Sequence, residues 1–175
     1  GPLSSRVSGI ICLIGSISAL ITVFGLWGVN LDVFNKLYTV DNYGLFFKTL
    51  FLIVLTLVTF VSLRYTEREG IGSGEYYALL MFGVLGMMVM VSSHSFITIF
   101  VGLEVMSISI YILCALLRNN PQSVESSLKY FLLGAFATSF LLYGMALIYG
   151  STGIIDVVEL KQYFLSRQPF AAQMF

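Results

Sequence analysis

Five apolar runs, each about 18 residues or longer, leave this chain little choice of fold. They cover residues 7–29, 43–63, 76–93, 96–117 and 123–149. At ~1.5 Å per helical residue, ~20 residues cross a hydrocarbon core of ~30 Å. The third run sits at the short end of that range. Charged residues make up 10% of the chain, whereas a soluble domain typically carries about a quarter. Lipid must therefore solvate much of the surface. Inside lipid every backbone amide needs a partner within its own segment, which selects helices. The expected fold is an all-α polytopic membrane protein with about five transmembrane helices in one membrane domain, residues 1–175.

The connections are short. Residues 30–42 carry Asp32, Lys36 and Asp41, with Val33, Phe34, Leu37 and Tyr38 placed to rest on the interface. RYTEREGIGSGE, residues 64–75, reads as a solvent loop anchored by Arg64. His94 among Ser92, Ser93 and Ser95 marks a tight turn. RNNPQ, residues 118–122, reads as a loop, with Pro121 where the next helix can start. Residues 154–164 fit a short amphipathic surface helix. Gly1-Pro2 resembles the scar of a tag-cleaving protease, so residues 1–5 are set aside; no signal peptide is legible before the first run.

Charge gives a weak orientation signal. Arg6, Arg64, Arg68 and Arg118 fall on one side; Lys36, Lys48, Lys161 and Arg167 fall on the other. Short loops near span ends count most, which favours a cytoplasmic Arg118 loop. The formal net charge of zero gives nucleic acid no electrostatic footing. Cys12 and Cys114 lie in apolar runs and read as small buried hydrophobes. One His and two separated Cys argue against haem, iron–sulfur and zinc sites.

Glu104 is the leading candidate for chemistry. It lies ~12 Å from the start of its run and ~20 Å from the end. A carboxylate at that depth costs at least a few kcal/mol, so it must face protein and be protonated, paired or hydrated. Desolvation disfavours its charged form and a nearby cation favours it. A group held between the two can be switched, as a proton relay requires; the alternative is a structural acid that ties helices together. Lys129 lies only ~9 Å inside the fifth run. It either snorkels to the surface or faces inward as a second proton group. Glu125, four residues earlier, fits an ordinary helix pair with Lys129 and the helix dipole. His94 is either interfacial or a proton entry and exit point. Ser107, Ser109, Tyr111, Thr138 and Ser139 are intramembrane hydroxyls. Most should bond back to helix carbonyls, and some could order water around Glu104.

The stretch from Gly102 to Gly153 reads GLEVMSISIYILCALLRNNPQSVESSLKYFLLGAFATSFLLYGMALIYGSTG. Its pattern is G-x-E-hydrophobic-x-S, a short basic loop, E-x-x-x-K-Y, and a close of SFLLYGMALIYG-x-TG. This resembles the antiporter-like subunit N (subunit 2) family of respiratory complex I, NADH:quinone oxidoreductase. The resemblance implies a membrane-arm subunit built on inverted repeats, with these spans matching the second to sixth helices. Glu104 then matches the family's glutamate in the fifth helix, and Lys129 its lysine at the start of the sixth. The family's glutamate works with a lysine on the seventh helix, beyond the part seen here. The implied function is proton translocation. NADH, FMN, iron–sulfur clusters and quinone would be held by partner subunits, with no cofactor in this chain. Other membrane-arm subunits and lipid are the implied partners, in a bacterial inner membrane or an equivalent energy-converting membrane. A monovalent cation/proton antiporter subunit and a non-pumping structural or assembly subunit are the competing readings.

Overall fold

The structure, a computed structural model, describes residues 2–35, 37–69, 71 and 73–166. Lys36 and Arg167 of the charge count lie outside them. The described residues form six helices: α1 (Pro2–Gly25), α2 (Asn42–Glu69), α3 (Ser73–Met90), α4 (Phe96–Cys114), α5 (Pro121–Thr152) and α6 (Val157–Ser166). Four segments, Arg6–Gly25, Asn42–Glu69, Phe96–Cys114 and Pro121–Thr152, are long and apolar enough to cross a membrane. The fifth apolar helix, α3, is shorter, as the short third run implies.

Two connections depart from the sequence reading. Residues 30–42 hold a small antiparallel hairpin, β1 (Leu31–Val33) and β2 (Tyr38–Val40), in register Leu31↔Val40, Asp32↔Thr39 and Val33↔Tyr38. Its loop puts Phe34 and Asn35 at φ 53° and 56°. Asn adopts this left-handed region readily, whereas Phe seldom does. The expected solvent loop from Arg64 also begins later, because α2 continues to Glu69. Nothing in RYTERE breaks a helix, and the first glycine comes at 70. The added turns dock on α1 through an Arg6–Glu67 ion pair.

The core lies between α1, α2 and α3 and contains Cys12, Val23, Leu45, Leu52, Leu55, Tyr77 and Val84. Hydroxyl pairs join these helices: Thr56 Oγ1 donates to Ser16 Oγ at 3.0 Å, and Ser62 bonds Tyr76 at 2.8 Å. In hydrocarbon such bonds and small residues take the place of a hydrophobic driving force between helices. At Gly86 and Gly102 the backbones of α3 and α4 nearly touch. A Cβ on Gly86 would meet the Gly102 carbonyl oxygen at 2.5 Å. Helix α5 packs outside α4 and has no buried residue. Its start is fixed by Asn120, whose side chain accepts from the Gln122 and Ser123 amides, with Pro121 next. Gly153 ends it at φ 70°.

The chain presents two ends. At one, Arg118 bonds Glu75 at 3.0 Å across the α4–α5 loop. At the other, the α3–α4 turn is held from both sides. Thr39 N donates to the Ser92 carbonyl at 2.6 Å, Val157 N to that of His94 at 3.0 Å, and Phe96 N to that of Ile155 at 2.9 Å.

Candidate functional site

Helix α4 places its polar groups by simple periodicity. Gly102 and Ser109 sit against α3, where only small side chains fit: Gly102 faces Gly86, and a Cβ on Gly83 would lie 3.9 Å from Ser109 Cβ. Glu104 shares its face with Phe100, Ser107 and Tyr111 at i−4, i+3 and i+7. Those residues line two grooves between α4 and α5. The first, about 550 Å³, is walled by Phe96, Phe100, Leu142, Met145 and Tyr149. The second, about 260 Å³, includes Ser107, Tyr111, Gly134 and Thr138. Along α4, Leu103 and Met106 of the second groove flank Glu104.

Glu104 is half-buried, and its Oε1 is shielded without a hydrogen-bond partner. A carboxyl oxygen in that position lacks a donor. Its own proton, a water molecule or a cation would supply one.

The other sequence candidates are not gathered around it. Lys129 is exposed and paired with Glu125, also exposed, at i,i+4. His94 is exposed on the α3–α4 turn and bonds α6 through its carbonyl. Ser107 is buried on the Glu104 face. The hydroxyls of Ser109, Thr138 and Ser139 bond back to Val105 and Ala135 carbonyls, the local satisfaction expected of them. Tyr111 stacks edge-on with Tyr130 at 5.0 Å. Its phenol lies where a Cβ on Gly134 would stand, so that glycine admits the ring. Cys12 is buried beside Thr59. Cys114 corrects the expectation of burial: it ends α4 and is exposed. Among the described residues no cluster of His, Cys, Asp or Glu could hold a metal ion.

In the sequence Lys48 stands out only as a charge bearing on orientation. Lys48 is 4% exposed, and its Nζ donates to the Tyr38 phenol at 3.0 Å. The available signal was a lysine inside an apolar run, ten residues after a tyrosine. Only the hairpin fold brings the two together.

Residues 93–175 match the family model described as NADH:quinone oxidoreductase/Mrp antiporter, transmembrane. The chain is 44% identical over 148 residues to NADH-quinone oxidoreductase subunit N of Trichlorobacter lovleyi, covering 85% of this chain and 30% of that protein. It is 41% identical over 162 residues to subunit N 2 of Koribacter versatilis, covering 92% and 33%. It therefore spans about a third of the length of these curated relatives. Among solved structures it is similar to a chain of respiratory complex I from Thermus thermophilus with bound aureothin. That match has a TM-score of 0.74 and 31% identity, over 87% of this chain and 33% of that one. An archaeal membrane-bound sulfane sulfur reductase complex shares the fold, with a TM-score of 0.65 at 23% identity over 91% and 37% of the two chains.

Proposed function

The chain belongs to the antiporter-like membrane-subunit family of NADH:quinone oxidoreductase, and on that premise we propose that it forms part of a proton path through the membrane arm of such a complex. The observation that carries this reading is Glu104: a carboxyl group near the middle of the apolar helix α4, with one oxygen enclosed and unpartnered. When a donor is supplied from a neighbouring helix or by water, the group can give up its proton. When the donor is withdrawn, it takes one back. Ser107 on the same face, with Tyr111 and Thr138 in the groove they share, offers hydroxyls for an entering water file.

In this proposal the redox groups belong to partner subunits: NADH, FMN, iron–sulfur clusters and quinone. Their reaction reaches this chain as a change of charge beside Glu104. The reaction here is proton transfer only, with membrane-arm subunits and lipid as neighbours. The Arg118 end is cytoplasmic, as its short-loop arginines favour.

The competing cation/proton antiporter reading is separated by one experiment on vesicles carrying the complex. NADH-driven proton uptake is expected, unchanged when sodium and potassium are replaced by choline. Exchange that needs sodium or potassium and proceeds without NADH would overturn the reading.

A further inference from the structure

Lys48 is the buried charge that the Glu104 path leaves unused. It sits six residues into α2, about 9 Å below the helix start. A lysine at that depth ordinarily runs its stem outward and keeps the ammonium in water. Lys48 does the opposite, and the residue is 4% exposed. None of the ion pairs among the described residues includes it. Its partner is the Tyr38 phenol, which accepts from Nζ at 3.0 Å and whose ring centroid lies 4.8 Å away. A buried ammonium without a carboxylate is an expensive way to fill space. If packing were the only need, Met or Leu would serve better.

The phenol continues inward and outward. Ser92, 1% exposed, lies close enough to act on the Tyr38 phenol, and its own hydroxyl donates to the Met88 carbonyl at 2.7 Å. Tyr38 is only half-buried, so it joins an enclosed ammonium to the wet edge of the hairpin. Burial pushes the phenol up, but the Lys48 hydrogen bond and the nearby Ser92 hydroxyl, with the ammonium's field, outweigh it and hold the group below the usual tyrosine range. The other titratable groups of the hairpin, the start of α2 and the adjoining turn among the described residues are Asp41, whose Oδ1 accepts from Gly44 N at 2.7 Å, Asp32, exposed opposite Thr39, and Tyr43 and His94, both exposed.

Both Lys48 and Glu104 are reached from the His94 end, at depths of about 9 and 12 Å along their helices. Helix α3 packs against both α2 and α4. The juxtaposition supplies a basic and an acidic group at nearly one depth.

We propose that Lys48 and Tyr38 form a second proton-exchange station, opening at the His94 end. The Lys48 N–H bond breaks as an O–H bond forms on Tyr38. The phenol's original proton passes to water at the hairpin edge, and uptake reverses both steps. No electrons move. The proposal rests on the translocation reading, but it concerns a different group.

The test uses vesicles carrying the whole complex, with protons moved per NADH oxidised as the readout and subunit content as the assembly check. Lys48→Arg keeps the charge and donors, yet arginine does not release its proton. Tyr38→Phe keeps the ring under the ammonium and removes only the acceptor. In both, the share of protons moved by this subunit is expected to fall by about tenfold or more. That is less than the usual hundredfold for a lost proton-transfer group, because water substitutes in part. Wild-type stoichiometry in an assembled Lys48→Arg complex, or in Tyr38→Phe should the arginine variant not assemble, overturns the proposal. Glu104→Gln in parallel separates the two failures. Normal pumping there with loss in Lys48→Arg rejects the Glu104 path alone, and the reverse rejects the Lys48 station alone.

Discussion

Glu104→Gln is expected to leave the complex assembled and its NADH oxidation measurable, while removing the protons that pass through this subunit. The amide matches the carboxyl in size, so the α4–α5 contacts persist. It fills the enclosed Oε1 position with a group that neither binds nor releases a proton near neutral pH. Loss of a positioned proton-transfer group typically costs on the order of a hundredfold or more in rate, and here it should appear as fewer protons per NADH. Glu104→Asp keeps the chemistry but withdraws it by one methylene, so partial function is expected. A Gln variant that pumps with full stoichiometry would reduce Glu104 to a structural acid, and the chain to an assembly subunit.

The second large effect lies at the α3–α4 crossing. A Cβ on Gly86 would stand 2.5 Å from the Gly102 carbonyl oxygen and 2.6 Å from Met106 N; one on Gly102 would stand 2.8 Å from the Gly86 carbonyl oxygen. These are backbone atoms and cannot rotate aside, so even Ala forces the helices apart. Overpacking ordinarily costs about 1–3 kcal/mol, and this site belongs at the upper end. Gly86→Ala and Gly102→Ala should each sharply reduce assembled subunit in membranes, or lower its unfolding temperature in detergent. Gly144, with nothing within 4 Å of its would-be Cβ, is the control. Gly144→Ala should be neutral, or slightly stabilising through helix propensity. Equal losses at all three positions would show that glycine content matters and the crossing does not.

How far the sequence revealed this structure depends on the range of the interaction. The helices were legible because hydrocarbon imposes one rule on every residue of a run. Glu104 stood out because the same rule makes a carboxyl at that depth exceptional. The start of α5 was legible from Pro121, a local signal. The hairpin was not, since Phe34 at φ 53° is a choice its residue type does not announce. Nor was the continuation of α2 past Arg64, where charged residues look like loop but are good helix formers. Lys129 had two readings from sequence, and the structure shows it with Glu125 on an exposed face. Lys48 was hidden because its partner Tyr38 comes from another element, and no spacing rule links a strand to the helix that follows it.

The central claim is that the Glu104 carboxyl changes protonation as the complex turns over. Infrared difference spectroscopy of the complex, with and without NADH, reads that change as a carboxyl C=O band that appears or vanishes with turnover. On this reading the band shifts when glutamate is labelled with ¹³C and is missing from Glu104→Gln. A wild-type difference spectrum with no carboxyl signal assignable to Glu104 would contradict it.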